Sequence, residues 1–233
     1  MTVPASPAPP VRTTVHLLRH GKVHNPDGIL YGRLPGYRLA ASGRAMADAA
    51  AAALAGNDVT HLVASSLLRA QETAQPIAAG HGLSIVTDDR VLEADNAFAG
   101  APIGGPDGSL RKPSNWLKMR DPFTPSWGEP YLQIAHRMLA AVYAAVDAAA
   151  GHEAVIVSHQ LPIWTIRRYL TGERLWHNPT IRQCAVASLT SFTFADAVFE
   201  RMNYREPAAH IPAVDDPVDG VVPDPATQPE AGA

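Results

Sequence analysis

Four residues carry most of this chain's chemical capacity: Arg19, His20, Arg69 and His159, each at or just beyond the end of a short apolar run. A guanidinium presents a fork of N–H donors matched to phosphate oxygens, and two of them can hold a phosphoryl group while neutralising its charge. A neutral imidazole attacks phosphorus when its other ring nitrogen is fixed by an acceptor. Glu93 adds a carboxyl that, kept protonated by burial or by neighbouring anionic charge, can give its proton to a leaving oxygen. Together these groups could perform phosphoryl transfer. Taken singly, they fit equally well with surface ion pairs and satisfied polar side chains at strand ends.

The elements that must position them follow from the pattern. Residues 14–18 are short, apolar or β-branched and precede loop residues, so they read as a buried strand ending in Arg19-His20-Gly21. Gly21 is expected to let backbone approach a ligand closely. Residues 59–64 form a second such run before Ser65-Ser66, and the following segment, Leu67 to Ala74, carries Arg69 on a helix that Pro76 should kink or split. A third strand is expected near 83–86, leading to Glu93. Residues 153–157 form a further strand ending in Ser158-His159, with a helix from Pro162 to Leu170. Ser42 is placed as the cap of a helix over about 43–54, and Glu129-Pro130 should open a helix running to about 150. Residues 184–194 and 198–202 complete the pattern as a hairpin. Strands alternating with helices predict a three-layer α/β/α sandwich with a largely parallel central sheet. In such sheets ligands gather at the carboxyl ends of the strands.

The chain has 233 residues, 46% hydrophobic and 18% charged, which suits one globular domain with a sizeable core. A net charge of −3 argues against nucleic acid or an anionic membrane as an obligate partner. Cys184 is the single cysteine, which excludes an intrachain disulfide and reads as a small buried hydrophobe on a strand. Residues 1–10 lack the charged start and apolar middle of a signal peptide, and no apolar run reaches membrane-spanning length, so the expected location is cytoplasmic. Residues 1–12 and 206–233, rich in Pro, Ala, Asp and Gly, are expected to be mobile tails around a domain at 13–205. Between them, residues 94–130 read as an irregular insertion over the site, with Arg111, Lys112, Lys118 and Arg120 near Trp116, Phe123 and Trp127.

Several motifs occur in one order: Arg19-His20-Gly21 after a strand, Gly32-Arg33 with Leu39 and Gly43, Ser65 through Ala74, Gly128-Glu129 before a helix holding Arg137, and Val157-Ser158-His159. Over roughly residues 13–205 this resembles the histidine phosphatase superfamily, also called the phosphoglycerate-mutase-like family. The resemblance implies that His20 is a nucleophile forming a phosphohistidine, that Arg19, Arg69 and His159 bind the phosphoryl group, and that Glu93 is the general acid. It implies no metal and no other cofactor. The partner it implies is a small phosphorylated metabolite, and oligomeric state is left open.

The chain also departs from the family pattern. Lys22-Val23 stand where an acidic residue and threonine are common, and Asn25 lies one place early for the usual polar pocket residue. Ala94-Asp95-Asn96-Ala97 replaces the Arg-His-Tyr-Gly run typical of glycolytic phosphoglycerate mutases, and Gln160-Leu161-Pro162 replaces the usual glycines. Asn25, Arg33, Gln160 and Trp116 are the expected substrate-binding residues. The leading expectation is a metal-independent phosphatase. The alternatives are a mutase-type phosphotransferase and a non-catalytic phosphate-ester binding protein.

Overall fold

In a computed structural model, residues 9–102, 121 and 127–214 are described. Six strands, β1 (Arg12–Arg19), β2 (Val59–Ala64), β3 (Val86–Thr87), β4 (Glu153–Ser158), β5 (Leu189–Ala195) and β6 (Val198–Arg205), form one sheet in the order β3-β2-β4-β1-β5-β6. The β3-β2, β2-β4 and β4-β1 pairs are parallel, and β1-β5 and β5-β6 are antiparallel. β4, though later in the chain, thus slots between β2 and β1. This brings the carboxyl ends of three parallel strands, at Arg19, Ala64 and Ser158, side by side.

Helices cover both faces, giving the expected three layers. Alternation along the strands decides which side chain serves which layer. Leu18, Leu62, Ala64, Val155 and Val157 pack with Ala50 and Leu54 of α1 (Ala41–Leu54) and with Ala70, Ala74 and Ile77 of α2 (Leu68–His81). Val15, Leu17, Val63, Ala154 and Ile156 face the opposite core. There they meet Ile134, Met138 and Val142 of α3 (Tyr131–Ala148) and Ile163 and Ile166 of α4 (Gln160–Leu170).

Several local expectations are corrected. Ser42 does not cap α1; Ala40 occupies that position, and the Ser42 hydroxyl donates to the Val214 carbonyl instead. Pro76 does not split α2, which runs on to His81 and ends at left-handed Gly82. Buried Thr73, Ala74 and Ile77 hold both halves of that helix against the sheet, so tertiary packing overrides the missing amide. The third strand is only two residues long and begins at Val86. Cys184 is buried, but it sits in the loop before β5 rather than on the strand. Beyond β6, residues 206–214, assigned by sequence to a tail, lie against the body, with Ala208 and Ile211 packed around Met46 and Ala187.

Gly21 has a structural task other than admitting a ligand. A Cβ on Gly21 would run into the Gly43 carbonyl oxygen, and one on Gly43 would run into the Lys22 carbonyl oxygen, which also accepts the Ala40 amide. The backbone leaving β1 therefore lies directly on the first turn of α1. Gly→Ala inside a helix ordinarily stabilises by about 1 kcal/mol. Here Gly43→Ala is expected to reverse that sign and cost about 2–3 kcal/mol through overpacking. A urea midpoint at or above that of the parent protein would contradict the contact.

Candidate active site

The site is built where β1, β2 and β4 end. His20 follows β1, is 2% exposed, and places Nδ1 2.8 Å from its neighbour's carbonyl, Gly21 O. A carbonyl has no proton to give, so Nδ1 is the donor and the lone pair resides on Nε2. Burial, then the Arg69 and Arg19 guanidiniums, push the His20 pKa well below the ordinary imidazole value. The ring is thus held neutral with one nitrogen free to attack. Gly21 is anchored in turn: its amide donates to Thr73 Oγ1 at 3.1 Å, and that hydroxyl donates to the Arg69 carbonyl at 2.7 Å.

His159, fully buried after β4, stands with its ring 5.1 Å from that of His20. Ser65 Oγ, at the end of β2, accepts the Leu67 amide and lies 2.8 Å from His159 Nε2. Burial first, and then the cationic surroundings led by Arg69, also hold the pKa of His159 well below its usual value.

Arg69 is 1% exposed, donates through Nη2 to Gly32 O at 2.7 Å, and lies 4.8 Å above the Tyr31 ring. Arg19 donates through Nη1 to Cys184 O at 2.6 Å. Each guanidinium is therefore fixed at one end by a carbonyl, without a carboxylate to neutralise it. Arg19 Nε, Arg69 Nε and His159 Nδ1 are buried and have no hydrogen-bond partner. Buried donors are nearly always paired, and an unpaired one costs about 1–3 kcal/mol. Arg69 and Arg19 both bear electrostatically on His20 and on His159.

Glu93 lines the same cavity, of about 380 Å³, with Arg19 and His20. It is partly accessible from the cavity but otherwise enclosed by protein. Burial raises its pKa, opposed by the Ala94 amide and by Arg69, Arg19 and Arg182. Its position is set from behind. Arg33 Nε donates to the Glu93 carbonyl at 2.6 Å and Nη2 to Glu129 Oε2 at 3.0 Å. Arg137 pairs with both Glu129 oxygens and donates to the Arg90 and Leu92 carbonyls. Ser158 Oγ adds a bond to Val91 O at 2.7 Å.

Residues 15–205 match the family model of the histidine phosphatase superfamily (branch 1). The chain belongs to that family. It is 55% identical to the uncharacterized protein Rv0525 of Mycobacterium tuberculosis over 200 residues, covering 86% of this chain and 99% of that one. It is 30% identical over 164 residues to the protein of Yersinia enterocolitica named "Probable phosphoglycerate mutase GpmB", covering 68% of this chain and 74% of that one. Among solved structures it resembles the mycobacterial glucosyl-3-phosphoglycerate phosphatase Rv2419c, with TM-score 0.67 and 26% identity, covering 83% of this chain and 96% of that one.

Within this histidine phosphatase fold, Arg19, His20, Arg69, Glu93 and His159 come together at one sheet edge. Asn25 and Gln160 line the cavity as well; Asn25 also closes its own loop by exchanging hydrogen bonds with the Ile29 backbone. Arg33, expected to meet substrate, is turned to Glu93 and Glu129 and is not among the cavity's lining residues. Trp116 and the basic residues 111, 112, 118 and 120 lie outside the described residues. Tyr31 and Trp127 line the cavity, together with Tyr131 and Arg182, which the sequence reading did not single out. The ends of the 94–130 segment are laced together, Ala97 N to Trp127 O and Glu129 N to Asp95 O, and Gly100 N reaches Leu30 O. Among the described residues, no three or more His, Cys, Asp or Glu side chains are grouped to hold an ion.

The assigned protonation is directly observable. In ¹⁵N-resolved NMR of His20, the Nδ1–H tautomer should persist as pH falls through 6.5, where an ordinary imidazole is half protonated at roughly that value. A His20 ring that titrates normally, or that carries its proton on Nε2, would contradict the geometry.

Proposed function

We propose that this protein is a phosphatase that hydrolyses a small phosphomonoester through a phosphohistidine on His20, with its own side chains supplying the charge neutralisation. The observation that carries this reading is the meeting of two guanidiniums without a carboxylate partner, Arg19 and Arg69, with buried His159 around a His20 whose lone pair is held on Nε2. A phosphoryl group has three oxygens to offer such donors, and the two guanidiniums balance its dianionic charge.

In the first step His20 Nε2 bonds to phosphorus as the bond to the ester oxygen breaks. Protonated Glu93 gives its proton to that oxygen, so a neutral alcohol leaves. In the second step Glu93, now a carboxylate, takes a proton from water while the water oxygen bonds to phosphorus and the bond to Nε2 breaks. Phosphate leaves, and the neutral imidazole and protonated carboxyl are restored. Membership of the family and the likeness to a solved structure named as a phosphatase support this chemistry.

A mutase-type phosphotransferase is the second reading, supported by the relative that carries that name. Hydrolysis is preferred because Ala94-Asp95-Asn96-Ala97 takes the place of the basic run associated with the glycolytic mutases. Among the described residues, no helix is long and apolar enough to cross a membrane. We place the enzyme in the cytoplasm.

An aryl phosphate should be turned over in the presence of a chelator, and His20→Ala should reduce that rate more than about 10³-fold. Glu93→Gln should cost about 10²-fold on an alkyl phosphate, and less on a nitrophenyl ester whose leaving group needs no proton. Activity should fall as pH rises through the elevated Glu93 pKa, because the donor form is lost, and should persist in acid to below the usual imidazole range, because the His20 pKa is depressed. Isomerisation of 3-phosphoglycerate with a bisphosphorylated primer, outpacing phosphate release, would favour the mutase instead.

A further inference from the structure

Arg182 stands in the wall of the active-site cavity and has no part in the phosphoryl centre described above. Its support is unusual for an enclosed guanidinium. His177, 5% exposed, donates through Nδ1 to its near neighbour, the Leu175 carbonyl, at 2.7 Å. That fixes its lone pair on Nε2, which accepts Arg182 Nε at 2.8 Å. His177 is wedged between Tyr131 and Trp164, with ring centroids 5.5 and 5.9 Å away, and burial lowers its pKa and keeps it neutral. Tyr131 lies within electrostatic reach of Arg182, and burial raises the phenol's pKa and leaves its own proton in place as a donor.

The consequence is electrostatic. Among the described residues, arginines 12, 33, 38, 90, 137 and 168 are paired with carboxylates, but Arg182 is not. Its hydrogen-bond partner His177 is neutral, so it orients the cation without cancelling it. Desolvation is its largest perturbation, and Glu93 and Arg19 are within electrostatic reach. The other carboxylates lining the cavity are occupied otherwise. Glu129 holds two arginines, and exposed Asp95 accepts the Asn96 amide. Arg19 and Arg69 already balance a phosphoryl dianion. A third, preorganised positive charge beside the group that protonates the leaving oxygen has no counterpart in the phosphoryl group itself.

We infer that Arg182, held by His177 beside Tyr131, is a specificity residue that binds a carboxylate on the alcohol portion of the substrate, so that the preferred substrate is a phosphomonoester of a small hydroxy acid. This rests on the phosphatase reading. It adds that the leaving alcohol is itself an anion, met end-on by the guanidinium, with the Tyr131 hydroxyl able to give a further hydrogen bond. A cavity of about 380 Å³ is of the size that encloses such a metabolite.

The test uses two matched pairs that differ by a carboxylate: 3-phosphoglycerate against glycerol 3-phosphate, and phosphoserine against phosphoethanolamine. The full-length protein should favour the acid-bearing member by at least tenfold in kcat/KM in one pair or both. Arg182→Gln should cut that preference at least tenfold, mainly through KM, and Arg182→Lys should retain part of it. A parent protein that turns over aryl phosphate through His20 but shows no preference in either pair overturns this inference alone. So does an Arg182→Gln variant, folded by circular dichroism, that leaves the preference within threefold or lowers both members of a pair equally. A parent protein that releases no phosphate even from an aryl ester overturns the phosphatase reading on which the inference stands.

Discussion

The hydrogen bond from His20 Nδ1 to the Gly21 carbonyl is the constraint on which the rest of the site depends. It selects the tautomer, turns the nucleophilic nitrogen away from the backbone, and couples the ring to a chain whose own position is fixed. Gly21 is held by Thr73 on one side and pressed on Gly43 on the other, so α1 and α2 both report to the nucleophile. A side chain at either glycine would separate β1 from α1. The local rule that favours alanine in a helix yields here to a backbone contact that only glycine permits.

Charge is arranged in two groups. Around the phosphoryl position, Arg19 and Arg69 are braced by the carbonyls of Cys184 and Gly32 and keep their full charge. Farther out, Arg33 and Arg137 are neutralised by Glu129 and serve as struts that carry the Glu93 segment. The same residue type therefore does opposite work according to its partner. Braced by a carbonyl, an arginine remains available to an anion; paired with a carboxylate, it becomes structure. Burial first, and then these uncompensated guanidiniums, disfavour imidazolium at His20 and His159.

The fold and the central residues were legible because both leave strong marks on the sequence. Three apolar runs of five or six residues end in Arg-His, Ser-Ser and Ser-His, and β order then brings those ends together. Other features left no such mark. Pro76 was read by its local cost, whereas packing of Thr73 and Ile77 decides the helix. Arg33 stands out in the sequence only through the Gly32-Arg33 motif, and its bonds to the Glu93 carbonyl and to Glu129 are visible only in the structure. Gly21 was read as clearance for a ligand, and the clearance proves to be for another strand of backbone. Arg182 lies in an aperiodic loop, and its meaning depends on a histidine five residues earlier and a tyrosine some fifty residues away. No local pattern encodes that meeting.

The proposed reaction is covalent, with phosphorus passing through His20. The direct measurement is to quench the protein within milliseconds of mixing with ³²P-labelled substrate and map the label by peptide mass spectrometry under alkaline conditions, where a phosphoramidate survives. The account predicts an acid-labile phosphoryl group on the peptide bearing His20, lost in the His20→Ala variant. Turnover of the same substrate with no labelled peptide, or with the label on another residue, would contradict it.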